Sequence, residues 1–225
     1  MMIEYIAVTV KDAKLIEKSG ADRIELVSGL TEGGLTPSYG LIDKVVKSVR
    51  IPVNIMVRPH GQSFCYSKDD IEIMKNDIRM IRSLGANGVV FGMLDMEGNV
   101  DFSQLEELLT EVGTMEVTFH RAIDSSINML DNAEKLDQYK EITTILTSGG
   151  HGEWESRMET LLKMKDICKD TEILIGSGLS KENIREVHEQ VGTNAYHFGT
   201  AIRDDQSILK SVSLEKALEI VHTLK

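Results

Sequence analysis

The chain makes one joint three times. Gly20-Ala21-Asp22, Gly85-Ala86-Asn87 and Gly192-Thr193-Asn194 each end a stretch of helical spacing and lead directly into a run that reads as a strand, namely Arg23 to Val27, Gly88 to Phe91 and Ala195 to Phe198. Glycine accepts the left-handed backbone common just past a helix end, so each joint is a helix stop and a strand start in one short turn. A chain that repeats helix, short turn and strand is confined to α/β architectures, in which helices cover the faces of a mostly parallel sheet.

The remaining units fill the gaps between the joints. Ile3 to Val8 alternates weakly as a first strand, and Ala13 and Ile16 mark a helix from Lys11 to Ser19. Strand two leads into the glycine-rich loop S-G-L-T-E-G-G-L-T-P-S, after which Pro37 occupies a first helical position and Leu41, Ile42, Val45, Val46 and Val49 form a stripe. Strand three runs from Val53 to Val57. Ser67 and Asp70 then make a capping box before Ile71, Met74, Ile78 and Ile81 on one helical face. Phe102, Leu105, Leu109 and Val112 mark the next helix, closed by Gly113. In E-V-T-F-H-R-A-I-D, Val117 and Phe119 point one way while Thr118 and His120 point the other, and Asp124 opens a helix through Leu136. T-T-I-L-T-S-G-G is strand six, followed by a helix with Trp154, Met158 and Leu161. Glu172 to Gly176 is strand seven, and Ser180 caps a helix with Ile184, Val187 and Val191. Strand eight ends in H-F-G-T-A-I-R, and Leu214, Leu218 and Val221 mark the last helix. Eight units in 225 residues come to about 28 residues each, which predicts a single-domain (β/α)8 TIM-type barrel over 1–225. An open doubly wound sheet also alternates strand and helix, but the first strand-to-helix turn lacks a G-x-G-x-x-G fingerprint.

Charge and composition narrow the partners. Lys and Arg number 25 against 36 Asp and Glu, a net charge of −11 that repels phosphate backbones and anionic lipid, so no nucleic-acid partner is expected. No apolar run approaches the roughly 20 residues that span a bilayer, so no membrane association is expected either. The opening M-M-I-E-Y-I-A-V-T-V has no basic n-region or small-residue cleavage site and reads as a strand. Cys65 and Cys168, alone in so long a chain, read as reduced thiols, and the expected location is cytoplasmic.

In such a barrel the carboxyl ends of the strands form the functional face. The catalytic candidates there are Glu25, Arg58, His120, Arg121 and His197. Each has a competing structural reading. Glu25 shares a face with Arg23 and could form a buried ion pair with it, and Asp124 could simply cap a helix. His120 could be a general base, a metal ligand or a core hydrogen bonder. Met74, Met158 and Met164 fall at helical positions and read as core filling. After strands six, seven and eight, Ser148, Gly149, Gly176, Ser177, Gly178, Gly199 and Thr200 offer small side chains and backbone N–H groups suited to phosphate or another anion, although glycines also make tight turns. One reading is therefore an enzyme acting on a small anionic or phosphorylated metabolite, with Arg58 and Arg121 holding the anion and Glu25 and His120 exchanging protons. Arg58, His120, His197 and Glu25 should then converge on one rim and line one polar cavity.

Six motifs carry a resemblance that runs almost end to end: A-D-R-I-E-L at Ala21 to Leu26, E-G-G-L-T-P-S at Glu32 to Ser38, Arg58-Pro59, F-C-Y-S at Phe64 to Ser67, T-F-H-R-A-I-D at Thr118 to Asp124 and L-T-S-G at Leu146 to Gly149. Through them the chain resembles the copper homeostasis protein CutC family. The resemblance implies a cytoplasmic TIM-type barrel, a homo-oligomer, and a role in copper handling or trafficking with copper(I) as the bound species. Members of that family often carry cysteines at two positions that here match Ile6 and Val27, and the family's R-P-R-G-G-D-F reads R-P-H-G-Q-S-F. A copper(I) site built on that thiolate pair is lost. The remaining metal-ligand candidates are Cys65 with His60 or His120.

Overall fold

Alternation along each strand sorts side chains between two surroundings, and that sorting closes the sheet. In the computed structural model, which describes residues 1–225, eight parallel strands form a closed barrel in the order β1 to β8. They are β1 Met2–Ala7, β2 Arg23–Leu26, β3 Val53–Met56, β4 Gly88–Phe91, β5 Glu116–Phe119, β6 Ile142–Thr147, β7 Glu172–Ile175 and β8 Ala195–Phe198. The helices are α1 Val10–Lys18, α2 Tyr39–Val46, α3 Lys68–Ser83, α4 Phe102–Val112, α5 Met129–Leu136, α6 Trp154–Ile167, α7 Ile184–Val191 and α8 Leu214–Leu224. This is the (β/α)8 barrel that the repeated joints predict.

The three joints share one conformation. Gly20, Gly85 and Gly192 have φ of 80°, 76° and 66°, a region an L side chain enters only with strain. The outward strand residues, among them Ile3, Tyr5, Val117 and Phe119, are buried against the helices in one continuous apolar core. On α3 the expected stripe Ile71, Met74, Ile78 and Ile81 is buried, and the Ser67–Asp70 capping box is formed.

Three expected helix starts move. Pro37 precedes α2, whose cap is Ser38, with its hydroxyl accepting from the Leu41 amide. Asp124 does not open a long helix. Residues Arg121–Ser125 form a 3₁₀ turn and α5 begins only at Met129, because the Asp124 carboxylate is engaged by the end of β6. Ser180 stands in a separate turn whose amide donates to Asn183 Oδ1, and α7 starts after Asn183.

Candidate active site at the carboxyl ends of the strands

A barrel of this kind is ordinarily filled by layers of branched apolar side chains. Here the interior holds only two small apolar patches, Val27, Met56 and Val90 with Ile6 above, and Leu146, Leu174 and Ala195 with Met2 below. Between them runs a line of charge. β1 lies between β2 and β8, and the register sets Glu4 directly opposite both Arg23 and His197. Glu4 Oε2 accepts from Arg23 Nε at 2.5 Å and Glu4 Oε1 accepts from His197 Nδ1 at 2.7 Å. Arg23 reaches on to Glu116 at 3.6 Å, and His197 Nε2 faces Glu25 Oε2 at 3.9 Å. The expected Arg23–Glu25 pair is thus replaced by Arg23–Glu4.

Alternating charges and burial set the protonation states. Burial pushes the Glu4 carboxyl up, but the Arg23 guanidinium and the His197 imidazole outweigh it and hold Glu4 well below the usual carboxylate range. Burial also opposes the charge on His197, yet Glu25 and Glu4 together raise it above the ordinary imidazole value. Glu25 stands at the end of the line with the least compensation. Burial dominates there, with Glu4 adding repulsion against the attraction of His197 and Arg23, and its carboxyl is pushed up to about 7.

Above this line opens a cavity of about 440 Å³. Glu25, Arg58, His120, Arg121 and His197 all line it, as do Ser177, Gly178, Gly199 and Thr200, so these residues from β2, β3, β5, β7 and β8 converge on one rim. Glu25 Oε1, Arg58 Nε and His120 Nε2 are buried there without a protein partner. The Ser177 and Gly178 amides likewise donate to no protein acceptor, and Ser177 holds a left-handed φ of 70°. Ser148, Gly149 and Gly176 do not belong to this cradle. Their amides are consumed by Asp124, by Thr147 Oγ1 and by the Thr147 carbonyl respectively, which leaves none for an anion.

Asp124 is the knot of the rim. It accepts from Thr147 Oγ1 at 2.5 Å, from Ser148 Oγ at 2.7 Å and from Arg121 Nε at 2.8 Å, tying the 3₁₀ turn after β5 to the end of β6 and aiming Arg121 across the cavity. Arg58 donates through NH1 to the carbonyls of Glu32 and Gly34 and lies 4.9 Å over the Phe64 ring, so it braces the glycine-rich loop while bringing an unneutralised positive charge to the cavity wall. Its role is partly structural. Arg203, fully buried, bonds the Lys210 and Ile6 carbonyls and is a bolt between the chain's ends outside the site.

The soft-metal candidates do not assemble. His60 pairs with Asp70 at 3.5 Å, the Cys65 thiol donates to the Asp95 carbonyl, and His120 Nδ1 accepts from the Ala122 amide, so the three imidazole and thiol groups have separate structural partners. Ile6 and Val27 fall in the apolar patch with Met56, which presents no thiolate. The protein's one group of three metal-ligating side chains is Glu4, Glu25 and His197, an oxygen–nitrogen set that suits a borderline divalent ion rather than copper(I). Both Glu4 oxygens are already occupied by Arg23 and His197. Glu4 itself escapes a rim-based reading of the sequence because it lies three residues before the strand end at Ala7; alternation with Ile6 was the available signal.

Fold and site together define a (β/α)8 barrel with a buried cluster of charged side chains under a cavity walled by two arginines. The CutC family model matches residues 1–202. A CutC family protein of Proteus mirabilis is 40% identical over 191 residues, covering 81% of this chain and 76% of that protein. A crystal structure from Streptococcus agalactiae, described as a candidate copper homeostasis protein CutC, superposes with a TM-score of 0.84 at 27% identity over 90% of this chain and 99% of its own. The chain belongs to the CutC family. Phosphoribosylanthranilate isomerase of Thermotoga maritima matches 100% of this chain and 98% of its own with a TM-score of 0.67 at 12% identity, a likeness of fold alone. No helix is long and apolar enough to cross a membrane.

Proposed function

We propose that this CutC-family protein is an acid–base enzyme acting on a small anionic metabolite, and that it works in the cytoplasm. The observation that carries the reading is Glu25, a buried carboxyl at about 7 with one oxygen unpartnered, beneath a cavity walled by Arg58 and Arg121. A carboxyl at that value is present in both protonation states near neutrality, which is what a residue that both takes and returns a proton needs. His197 and Glu4 hold it from below. Arg58 and Arg121, with the Ser177 and Gly178 amides across the cavity, supply the charge complement for an anion.

A thermal-shift screen of anionic metabolites tests this. A ligand at about 100 times its Kd should raise the melting temperature by about 5–10 °C for a chain of this length. Arg121→Ala should abolish that shift, since Arg121 is half-exposed and its loss leaves the Asp124 contacts to β6 in place. The absence of any Arg121-dependent hit would count against the reading.

The copper role named for the Streptococcus agalactiae protein has a different requirement, a soft donor set, and this chain places no two thiolates together. Cys168 is buried under α5, where desolvation pushes its thiol up to about 12. Competition titration under reducing conditions should therefore give no tight stoichiometric copper(I) binding. Tight binding that survives Cys65→Ser would show that copper(I) uses ligands other than the thiols.

A further inference from the structure

We propose that His120 is the electrophile of this site: its Nε2–H hydrogen-bonds a substrate carbonyl oxygen while Glu25 removes the neighbouring α-proton, which makes the substrate an anionic aldehyde, ketone or 2-oxo acid and the reaction an enolisation. The inference rests on the acid–base reading and adds the reaction class.

The tautomer follows from one contact. The Ala122 amide donates to His120 Nδ1 at 3.2 Å, so Nδ1 carries a lone pair and the single ring proton is assigned to Nε2. Nε2 is buried, has no protein partner, and belongs to a ring that lines the cavity. A buried donor without a protein acceptor is one that a ligand oxygen would satisfy. The ring sits where a glycine makes room for it. At Gly92, just past the end of β4, a Cβ would come within 2.5 Å of Nδ1, and Phe64 and Phe119 flank the ring with centroids at 5.0 and 6.3 Å. Gly92 is thus a positioning residue.

The surroundings keep the imidazole uncharged. Burial first, then the positive charges of Arg58 and Arg121, depress it to about 3, with only its backbone contact and Asp124 acting the other way. An uncharged imidazole N–H polarises a carbonyl and stabilises the oxyanion that develops, without itself losing or gaining a proton. Glu25, present in both protonation states near neutrality, is the base in its ionised form. In the step, the α C–H bond breaks and its proton passes to a Glu25 oxygen. The electron pair forms the C–C double bond, and the carbonyl π pair moves onto the oxygen held by Nε2–H. Return of the proton from Glu25 to the same carbon completes an exchange; where the α carbon carries a hydroxyl, its return to the former carbonyl carbon, with the hydroxyl proton passing to the oxygen held by Nε2–H, completes an isomerisation, with no oxidant, reductant or co-reactant.

Two measurements test the assignment. Nitrogen-15 histidine NMR of the whole protein should show His120 as the Nε2–H tautomer and unprotonated from pH 8 to pH 5; an Nδ1–H tautomer or protonation above pH 5 overturns the proposal. Pyruvate and dihydroxyacetone phosphate incubated with the protein in D2O should show deuterium entering the α position of at least one of them faster than in buffer. His120→Gln should slow that exchange by about 10²–10³-fold. Gly92→Ala, which keeps the imidazole but displaces it, should slow it too, so that a folding defect of either variant alone does not decide the matter. Exchange unaffected by His120→Gln removes His120 and leaves the Glu25 reading standing. Arg121-dependent anion binding with no exchange in either probe overturns the enolisation while leaving the anion site, and absence of both overturns the two readings together.

Discussion

Glu4→Gln is expected to destabilise the fold by about 3–5 kcal/mol, the loss typical when one partner of a buried ion pair is removed. Glu4 is fully buried and is the only acceptor that touches both Arg23 and His197, themselves almost inaccessible. The glutamine keeps the shape but leaves the Arg23 guanidinium and the His197 ring facing a neutral amide in a low-dielectric interior, so the cost is electrostatic rather than a cavity. For a chain of this length that amounts to a fall in melting temperature on the order of 10 °C. Urea unfolding at pH 7 reads it directly. Replacing Glu4 and Arg23 together by methionine should recover part of the loss, because no unpaired guanidinium then remains. A Glu4→Gln protein that unfolds with the wild type would show that the charged axis contributes nothing to stability.

Glu25→Gln should do the reverse. A carboxyl held at about 7 in the folded protein, against an ordinary glutamate value of 4.5, means that the native state binds more protons than the unfolded chain between those values. Stability from this group is fully present below pH 4.5 and is lost as pH rises through 7. The difference is worth about 3 kcal/mol above pH 8, as an order of magnitude for a group this deeply buried. Glutamine never ionises and escapes the penalty, so the variant should be more stable than wild type at pH 8, equal to it at pH 4, and inactive. His197, raised by its two carboxylates, contributes stability that is likewise lost as pH rises, so the comparison is read as the difference between the two proteins. Equal stability of variant and wild type at pH 8 would mean that Glu25 is not held protonated by its surroundings. A residue that costs stability where it sits is what an active site retains for its chemistry.

The barrel was legible because its signals are local. A glycine joint, a capping box at Ser67 and a stripe such as Ile71, Met74, Ile78 and Ile81 each act within a few residues, and the eightfold repetition leaves few ways to close the chain. The rim was legible for a related reason: period-two alternation assigns Thr118 and His120 to the inside before any contact is known. Helix starts were less so. Asp124 has the residue type and position of a cap, and only the proximity of Thr147 and Ser148, more than twenty residues away, diverts its carboxylate.

The sequence by itself determined the fold, the end of the barrel at which chemistry-bearing residues gather, and the absence of a cysteine at Ile6 and Val27. Tertiary structure alone decided how those residues are charged and which are free. Glu4 and His197 are 193 positions apart and meet only because closure of the ring pairs β1 with β8. That meeting, with Arg23 on the other side, is what holds Glu4 ionised and leaves Glu25 to carry the cost of burial. In the same way Ser148 and Ser177 look alike as loop serines, yet Asp124 takes the first one's amide and nothing takes the second's. Protonation and hydrogen-bond availability depend on burial and on partners from distant strands, and neither is written in the neighbouring residues of the chain.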